Sequence, residues 1–327
     1  MRLGIIGCGL IGNKRATAAI DCGAGVTAVT DLNEKLASAL AARTGAAVHP
    51  DWQSVVAADI DAVVIATTHD VLANIALGAI EAGRHVLVEK PAGIRSGDVA
   101  GVLAAARRNR KVAKVGFNYR FHPAMAKAKA LIDAGAIGPL MFVRARHGHG
   151  GRVGYEQEWR CRREVSGGGE LVDQGSHLID LARWYLGDLT LKYAAAPTYY
   201  WPIAVEDNCF LALEGEAGRF AWLHASWSEW KNIFSYEISG RNGKLVIDGM
   251  GGSYGTERLT FYKMLPQMGP PETMIWEYPG PDMSWVEEYK EFVAAIEQNR
   301  LPVGDIADAH ALWLIIEEVY RAAPVRR

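Results

Sequence analysis

Hydrophobic residues in the first third of the chain form short, uninterrupted runs that alternate with longer stretches of helical spacing. The apolar runs occupy residues 2–6, 26–30, 61–66, 85–88 and 112–116. Runs of this length, rich in Val and Ile and without polar alternation, are typical of parallel strands covered on both faces. The intervening stretches predict helices. We therefore expect residues 1–120 to form an α/β domain around a doubly wound parallel sheet.

The pattern changes in the second part of the chain, where a helix predicted over residues 123–134 leads into a series of strand-like runs. These runs occupy residues 140–146, 191–195, 208–213, 219–228, 234–239, 243–247 and 258–262. Turn residues join several of them without an intervening helix, which predicts a mainly antiparallel sheet. Two final helices are predicted over residues 285–298 and 305–322. We therefore expect residues 121–327 to form an α+β domain with a large open sheet.

A glycine-rich turn, Gly7-Cys8-Gly9-Leu10-Ile11-Gly12, connects the first predicted strand to the first helix. In that context the pattern Gly-x-Gly-x-x-Gly predicts a dinucleotide site. The first glycine permits the turn, the second admits a pyrophosphate, and the third lets helix and strand pack closely. The helix N-terminus then offers free N–H groups to the phosphates. The candidate cofactor residues in this turn are Gly7, Gly9, Leu10, Ile11 and Gly12.

An acidic residue, Asp31, ends the second predicted strand. A carboxylate at this place accepts hydrogen bonds from the adenosine ribose hydroxyls and repels a 2′-phosphate, so NAD is favoured over NADP. Lys14, Arg15 and Arg43 are possible phosphate partners, and they leave NADP as the less favoured alternative.

Further cofactor candidates follow the carboxyl ends of the predicted strands, where open parallel sheets bind their ligands. The candidates are Thr67, Thr68 and His69 after one strand, Glu89 and Lys90 after the next, and Asn118 after the last. For Thr68 and His69 the simpler alternative is that they cap the following helix.

The segment from Gly167 to Asp180 carries a candidate acid–base pair. Its three consecutive glycines allow the backbone to approach another group closely. Asp173 and His177 follow, four residues apart, so that on a helix they share one face. A carboxylate beside an imidazole can orient the ring and stabilise its protonated form. The alternative is a helix with an ordinary surface Asp–His pair.

Composition excludes several classes of function. The chain has 327 residues, a net charge of −2 and 22% charged residues, so we expect neither nucleic acid nor an anionic membrane surface as a partner. The sequence predicts no secretory leader and no membrane-spanning segment. Four scattered cysteines without a Cys-x-x-Cys pair predict reduced thiols and a cytoplasmic protein.

Several motifs occur along the chain in one order. They are the glycine-rich turn, Asp31, Glu89-Lys90-Pro91, Asn118-Tyr119-Arg120 and the segment from Gly167 to Asp180. In order and spacing they resemble the glucose–fructose oxidoreductase/inositol dehydrogenase (Gfo/Idh/MocA) family over essentially the whole chain. The resemblance implies an N-terminal Rossmann domain over residues 1–120 and a C-terminal domain with an open sheet. It also implies a nicotinamide cofactor, usually a sugar or cyclic polyol substrate, and homodimers or homotetramers assembled through the sheet. Leu72 departs from the family pattern, because a histidine is usual there.

The resemblance also implies roles for three residues. Lys90 would lie between the nicotinamide and the reacting carbinol and stabilise negative charge on the substrate oxygen. His177 would accept the proton in alcohol oxidation, or donate it in ketone reduction. Asp173 would orient His177 or bind a neighbouring hydroxyl. These three residues are the predicted catalytic residues and are also counted as substrate ligands.

Arginine and aromatic residues are concentrated between Arg144 and Arg163. Arginine suits phosphate or carboxylate, and a tryptophan can stack on a sugar ring, so we hypothesise an anionic substrate such as a nucleotide-linked or acidic sugar. The additional candidate substrate residues are Tyr119, Arg120, Arg146, His147, Trp159 and Arg160. The alternative, equally supported, is that Glu156, Glu158 and Glu164 neutralise these arginines.

The leading hypothesis is an NAD-dependent oxidoreductase that transfers hydride between nicotinamide and a secondary alcohol or ketone of a sugar. One alternative is a catalytically silent sensor of NAD(H), which the joint presence of Lys90, Asp173 and His177 disfavours. Another is a glycosidase of the same fold that retains NAD. No metal is expected, because His147, His149 and Cys161 have no further ligand at a suitable spacing.

Overall fold

The computed structural model describes residues 1–324 and divides into two compact units. Unit 1 comprises Met1–Asn118, Val165–Gly167 and Ser284–Trp313. Unit 2 comprises Tyr119–Glu164, Gly168–Met283 and the chain from Leu314. The first division of the chain therefore falls close to residue 120, where the sequence pattern changes.

Unit 1 is built on a parallel sheet. Its strands are β1 (Arg2–Ile6), β2 (Gly25–Thr30), β3 (Ala47–Val48), β4 (Ala62–Ile65), β5 (His85–Val88) and β6 (Ala113–Val115). The helices between them are α1 (Leu10–Asp21), α2 (Glu34–Thr44), α3 (Trp52–Ala57), α4 (His69–Glu81) and α5 (Ser96–Asn109). The six strands pair in the order β3-β2-β1-β4-β5-β6, all of them parallel. The predicted Rossmann domain is confirmed.

Two short elements of unit 1 were not predicted. Strand β3 has two residues and helix α3 has six, and neither is long enough to show a periodic pattern. A local signal for α3 is nevertheless present, because the Asp51 side chain accepts a hydrogen bond from the Ser54 N–H at 2.7 Å and caps the helix.

Unit 2 is built on a larger sheet. Its strands are β7 (Leu140–Gly148), β8 (Leu189–Ala195), β9 (Asn208–Gly215), β10 (Phe220–Ser226), β11 (Ile233–Gly240), β12 (Gly243–Asp248), β13 (Glu257–Lys263) and β14 (Glu272–Tyr278). The eight strands pair in the order β14-β13-β12-β11-β7-β10-β9-β8, and only the β7–β10 pair is parallel. The mainly antiparallel sheet is confirmed. Strand β14 was missed: it is an edge strand and none of its residues is buried, so burial imposes no clear alternation of apolar and polar residues on it.

Helices α6 (Pro123–Asp133) and α8 (Ser176–Leu186) cover one face of this sheet. Between them in the chain, α7 (Arg163–Ser166) is a single helical turn. Strand β7 shows the alternation that results. Val143, Ala145 and His147 are buried, whereas Arg144 and Arg146 between them are exposed. Side chains with even numbers in β7 therefore lie on the uncovered face.

The last two helices, α9 (Ser284–Glu297) and α10 (Ile306–Ala322), correct the predicted domain assignment. Residues 121–327 were expected to form one domain, but Ser284–Trp313 belongs to unit 1. Tyr289, Phe292 and Ala295 of α9 are buried in the same core as strand β1. The periodicity of α9 predicted a helix, but it carries no information on which core the apolar face joins.

Helix α10 begins directly after a capping aspartate. The Asp305 carboxylate accepts hydrogen bonds from the Ala307 and Asp308 N–H groups at 2.8 and 3.1 Å. Within residues 1–324, no helix combines the length and the apolar character needed to cross a bilayer.

Candidate active site

The glycine-rich turn of unit 1 has the geometry expected of a dinucleotide loop. Gly7 has φ +90°, a conformation that favours glycine. A Cβ at Gly12 would overlap the carbonyl oxygen of Gly7, so only glycine lets α1 start this close to the turn. A Cβ at Gly9 would meet no protein atom within 4 Å, so the loop is open at the glycine that would face a pyrophosphate.

The N-terminus of α1 adds anion-binding character to this loop. The helix begins at Leu10, directly after Gly9, and no side chain caps it. Its first turn contains no acidic residue, so neither a carboxylate nor a cap competes for the free N–H groups of residues such as Leu10 and Ile11. The open glycine and this helix end together fit a dinucleotide phosphate.

Asp31 is fastened to the same loop. Its carboxylate accepts hydrogen bonds from the Cys8 N–H at 2.6 Å and the Asn33 N–H at 2.7 Å, one on each oxygen. An ionised carboxylate has about four lone-pair sites, so each oxygen of Asp31 can still accept a ribose hydroxyl. The structure therefore places the predicted ribose ligand beside the predicted phosphate loop.

Two of the basic residues that supported NADP are engaged within unit 1. Arg15 is only 1% exposed and forms ion pairs with Glu89 and Glu288. Arg43 donates hydrogen bonds to the Thr17 hydroxyl at 2.7 Å and to the Asn13 carbonyl oxygen at 3.2 Å. Arg15 is thereby corrected from a possible phosphate partner to a buried structural residue.

The Glu89-Lys90-Pro91 motif forms a tight turn at the carboxyl end of β5. The Ala92 N–H donates to the Glu89 carbonyl oxygen at 2.9 Å, and the Trp313 indole N–H donates to the Pro91 carbonyl oxygen at 2.9 Å. The Lys90–Pro91 peptide bond is cis. Lys90 is half-buried in this turn.

The Glu89 side chain forms an ion pair with Arg15. Its Oε1 accepts from Arg15 Nε at 2.7 Å. Burial raises the pKa of Glu89, and the Arg15 guanidinium opposes that shift. The Glu89 carboxylate belongs to this ion pair, and a cofactor contact by Glu89 stays a prediction.

The remaining unit 1 candidates lie at the ends of β4 and β6. Thr68 stands at the N-cap position of α4, but its hydroxyl donates to the Asp70 carboxylate at 2.6 Å instead of bonding the helix backbone. The His69 ring is buried, with Nδ1 2.9 Å from the Ser166 carbonyl oxygen. Asn118 donates to the Ser284 hydroxyl at 3.0 Å, whereas Thr67 is half-exposed. Cofactor contacts by these residues stay a prediction.

In unit 2, Asp173 and His177 do not share one regular α-helix. A π-helical turn, Leu171–Gly175, contains Asp173, and α8 begins only at Ser176. Turns of this type are frequent at functional sites. His177 is 6% exposed, so the alternative of an ordinary surface pair is excluded. Asp173 lies 3.6 Å from Arg160 Nε, in an ion pair.

Aromatic rings surround His177. The Tyr119 ring stacks on the imidazole with centroids 3.8 Å apart and planes within 8°. The Tyr119 hydroxyl lies 3.3 Å from Nε2 of His147, a residue of β7 that is 1% exposed. The structure therefore brings three of the predicted substrate residues into one cluster.

The three glycines before the π-helical turn are explained by packing within the units. A Cβ at Gly169 would overlap the backbone carbonyl oxygen of Glu206, and a Cβ at Gly168 would overlap the Tyr320 hydroxyl. Glu206 accepts hydrogen bonds from the Gly169 and Leu171 N–H groups at 2.9 and 3.1 Å and from Tyr320 at 2.8 Å.

Glu206 is a residue that sequence reasoning missed, because nothing near it in the chain signals its partners. It is fully buried, and burial raises the pKa of its carboxyl group. Glu206 holds the start of the segment that carries Asp173 and His177, and it therefore stabilises the backbone of the candidate site.

Replacing Gly169 by alanine should lower the free energy of unfolding by about 1–3 kcal/mol, because the added methyl group displaces the Glu206 backbone. Gly101, in the middle of α5, has open space around its Cβ position, and its replacement by alanine should stabilise the protein by about 0.5–1 kcal/mol. Denaturant unfolding of both variants checks this pair, and a neutral Gly169→Ala would contradict the packing explanation.

Three arginines of the segment from Arg144 to Arg163, namely Arg144, Arg152 and Arg160, pair with acidic residues. Arg144 pairs with Glu237, with N–O distances of 2.8 and 3.1 Å. Arg152 and Arg160 both pair with Glu158. Arg160 also stacks on the Trp159 ring at 4.6 Å. Glu158 is one of the three glutamates that the alternative named, whereas Glu237, which pairs with Arg144, was not among them, so the alternative is met in part.

Two candidate substrate residues are corrected. Arg146 lies on the uncovered face of the sheet, opposite the face that buries His147, and so cannot join the His177 cluster. Arg120 is 5% exposed and forms a bidentate pair with Asp180 at 2.6 and 2.9 Å. Its charge is matched inside unit 2, and a substrate is not needed to explain it.

No group of three or more His, Cys, Asp or Glu side chains in residues 1–324 is arranged to hold a metal ion. The four cysteines are free thiols. Burial raises the pKa of Cys8, next to the second glycine of the loop, to about 12, so this thiol is unreactive at neutral pH.

Two models of known protein families together match most of the chain. A model of an oxidoreductase family with an NAD-binding Rossmann fold, Gfo/Idh/MocA, matches residues 1–117. The model of the Gfo/Idh/MocA C-terminal domain matches residues 125–246.

Two relatives have been named for their activities. Inositol 2-dehydrogenase 2 of Saccharopolyspora erythraea is 34% identical over 227 residues, and levoglucosan dehydrogenase of Pseudarthrobacter phenanthrenivorans is 34% identical over 250 residues. In both cases the match covers 67% of this chain and 64% of the relative. The chain thus matches slightly less than two thirds of the length of each relative.

Solved structures with a similar fold match over a greater length. Levoglucosan dehydrogenase in complex with NADH has a TM-score of 0.88 at 24% identity, with 99% of this chain and 98% of that chain covered. GenD2 in complex with NAD has a TM-score of 0.84 at 26% identity, with 99% and 94% covered.

Proposed function

The chain belongs to the Gfo/Idh/MocA oxidoreductase family, and on that premise we propose that it is an NAD-dependent dehydrogenase of a neutral cyclic polyol or sugar. The reaction would oxidise a secondary alcohol to a ketone, or run in reverse. The observation that carries the proposal is the nucleotide half of the site, where the Asp31 carboxylate is bound to the backbone of an open glycine loop.

This half of the site supports NAD rather than NADP. Asp31 can accept both ribose hydroxyls, and its negative charge repels a 2′-phosphate. Arg15 follows Lys14 just after the loop in sequence. Its guanidinium is engaged in buried ion pairs and is not available to a 2′-phosphate. Gly7, Gly9 and Gly12 would hold the pyrophosphate against the N-terminus of α1.

The chemistry divides between the cofactor and three side chains. Bound NAD would supply the hydride acceptor. The Lys90 ammonium would donate a hydrogen bond to the substrate oxygen and stabilise the negative charge that develops there. The His177 imidazole would accept the hydroxyl proton, and Asp173, held by Arg160, would bind a neighbouring hydroxyl or orient His177.

The charge balance of unit 2 favours a neutral substrate over the anionic sugar that the arginine-rich segment suggested. Arg144, Arg152 and Arg160 each have a carboxylate partner, so a phosphate or carboxylate would have to displace one. Trp159 is partly exposed and offers an aromatic face, which suits a polyol or sugar ring. The named dehydrogenases among the relatives act, by their names, on inositol and levoglucosan.

Two coarser proposals accompany this function. The uncovered face of the sheet exposes Phe142 by 39% and Trp222 by 44%, which supports a homodimer or homotetramer assembled through this face. The free thiols support a cytoplasmic location. Neither a silent NAD(H) sensor nor an NAD-retaining glycosidase is favoured by the relatives.

The test is a screen of neutral cyclic polyols and sugars beside acidic and nucleotide-linked sugars, with NAD and NADP in parallel and absorbance of the reduced nicotinamide as readout. Turnover of a neutral polyol with NAD is expected. A preference for NADP would overturn the role of Asp31, turnover without net cofactor reduction would indicate the glycosidase, and preference for charged sugars would overturn the neutral substrate.

Replacing Asp31 by serine should raise the KM for NAD about ten- to a hundredfold, because charge-assisted hydrogen bonds worth about 1.5–3 kcal/mol are lost. The KM for NADP should fall, since the repulsion of a 2′-phosphate is removed. Asn33→Ala is the control: it removes the neighbouring helix cap, in which the Asn33 side chain accepts from the Lys35 N–H, but no carboxylate. An unchanged ratio of the two KM values in Asp31→Ser would contradict the assignment.

A further inference from the structure

We propose that Tyr119 is a positioning residue for His177: its ring sets the plane of the imidazole, and its hydroxyl is held in turn by His147. The sequence predicted Tyr119 and His147 as substrate ligands, and this inference gives them a different function. It deepens the proposed function and rests on His177 as the proton acceptor.

The Tyr119–His177 pair is a full ring stack. The centroids are 3.8 Å apart and the planes differ by 8°, so the two rings lie face to face in van der Waals contact. His177 is 6% exposed. The torsion that rotates a histidine ring has a broad and roughly two-fold preference, so the side chain alone does not fix the plane. The neighbouring phenol ring does.

The Tyr119 ring is itself fixed by contacts at its edges. His122 and Phe234 approach it in T-shaped geometry, with centroid distances of 5.7 and 6.0 Å. The His147 ring lies 5.5 Å away, and its Nε2 is 3.3 Å from the Tyr119 hydroxyl. Phe234 also packs edge-on against His147 at 5.3 Å. His147 of β7 and Phe234 of β11 therefore hold the Tyr119 ring, and the Tyr119 ring in turn holds the imidazole of His177.

A substrate ligand and a positioning residue make different demands on Tyr119. If the hydroxyl bound substrate, its removal would weaken substrate binding while the ring remained. If the ring orients His177, the hydroxyl serves only to hold the ring, and loss of the ring lowers the rate of proton transfer. Proton transfer requires the base within hydrogen-bond reach and correctly aligned, so misalignment appears mainly in kcat.

Tyr119→Leu and Tyr119→Phe separate these cases. Tyr119→Leu removes the stack and should lower kcat by about ten- to a hundredfold with little change in the substrate KM. Tyr119→Phe keeps the ring and should retain most of kcat with an unchanged KM. Wild-type kcat in Tyr119→Leu would overturn the proposal. A raised substrate KM in Tyr119→Phe would overturn it too, because the hydroxyl would then be a substrate ligand.

A second measurement does not depend on turnover. The ring protons of His177, identified by their loss in His177→Gln, should show the upfield NMR displacement of a nucleus above an aromatic face. The displacement should persist in Tyr119→Phe and disappear in Tyr119→Leu. Its absence from the wild-type spectrum would overturn the stack even if Tyr119→Leu failed to fold. Its presence in a protein that oxidises no polyol would refute the proposed function and leave the stack established.

Discussion

Replacing Lys90 or His177 by alanine should lower kcat for polyol oxidation by about two to four orders of magnitude, the range expected for loss of general acid–base or electrostatic catalysis. Lys90 is half-buried in a turn held by backbone hydrogen bonds, and His177 is buried under Tyr119. Steady-state kinetics with saturating NAD gives the result.

NADH binding, followed by its fluorescence, should be unaffected in His177→Ala, since the glycine-rich turn and Asp31, the residues proposed to hold the dinucleotide, are unchanged in this variant. Lys35→Ala and His310→Ala provide matched controls, because Lys35 is exposed on α2 and His310 is partly exposed on α10. Both should retain wild-type kcat. A variant of Lys90 or His177 that also retained it would lose its place in the mechanism.

The parts of the site that are local in the chain could be predicted from the sequence. The glycine turn, the helix after it and Asp31 lie within residues 7–31. Each of these features requires particular residue types, glycine for the turn and an acidic residue for the ribose, so the sequence reveals it. The structure places Asp31 on the Cys8 N–H of that same turn. Strand periodicity likewise predicted both sheets, because side-chain alternation and burial are properties of short segments.

The supporting contacts could not be predicted, because they join residues far apart in sequence. His177 stacks on Tyr119, and Gly169 packs against Glu206. The sequence around His177 and around Gly169 does not indicate which residue each of them contacts. The expected i, i+4 face of Asp173 and His177 was replaced by a π-helical turn. Its start is held by Glu206 through the Gly169 and Leu171 N–H groups, so a tertiary contact decided the local geometry.

The arginine-rich segment shows the same limit for charge. Composition predicted an anion site, but charge balance is decided by partners that strands bring together. Glu237, on β11, lies opposite Arg144 of β7 in the sheet register. Hydrogen bonds from Arg144 and Lys244 lower the pKa of Glu237 although burial opposes the shift. The charge of Arg144 is therefore cancelled by a strand that lies far away in the sequence.

Replacing Arg15 by methionine should lower the free energy of unfolding by about 3–5 kcal/mol, the loss expected when one partner of a buried ion pair is removed. Arg15 is 1% exposed and pairs with Glu89 and Glu288, and its guanidinium lies 4.5 Å from the Trp285 ring. Gly116 leaves room for the pair, because a Cβ there would come within 3.0 Å of the Glu89 carboxylate. Denaturant unfolding measures the loss.

An exposed arginine gives the control. Arg2 pairs with Asp59 and Asp61 at the surface, and Arg2→Met should cost no more than about 1 kcal/mol. Equal losses in the two arginine variants would contradict the buried-pair explanation.

The loss in Arg15→Met should also depend on pH in a defined direction. Burial already raises the pKa of Glu89 while Arg15 opposes the shift, so removing Arg15 raises that pKa further. A carboxyl group with a higher pKa in the folded state binds more protons there than in the unfolded state, so stability falls as pH rises from the ordinary glutamate pKa toward the folded one. The variant should therefore be closest to wild type in acid and furthest from it at neutral pH. A loss that stayed constant with pH would show that Arg15 stabilises unit 1 by packing, through contacts such as that with Trp285, rather than by compensating buried carboxylates.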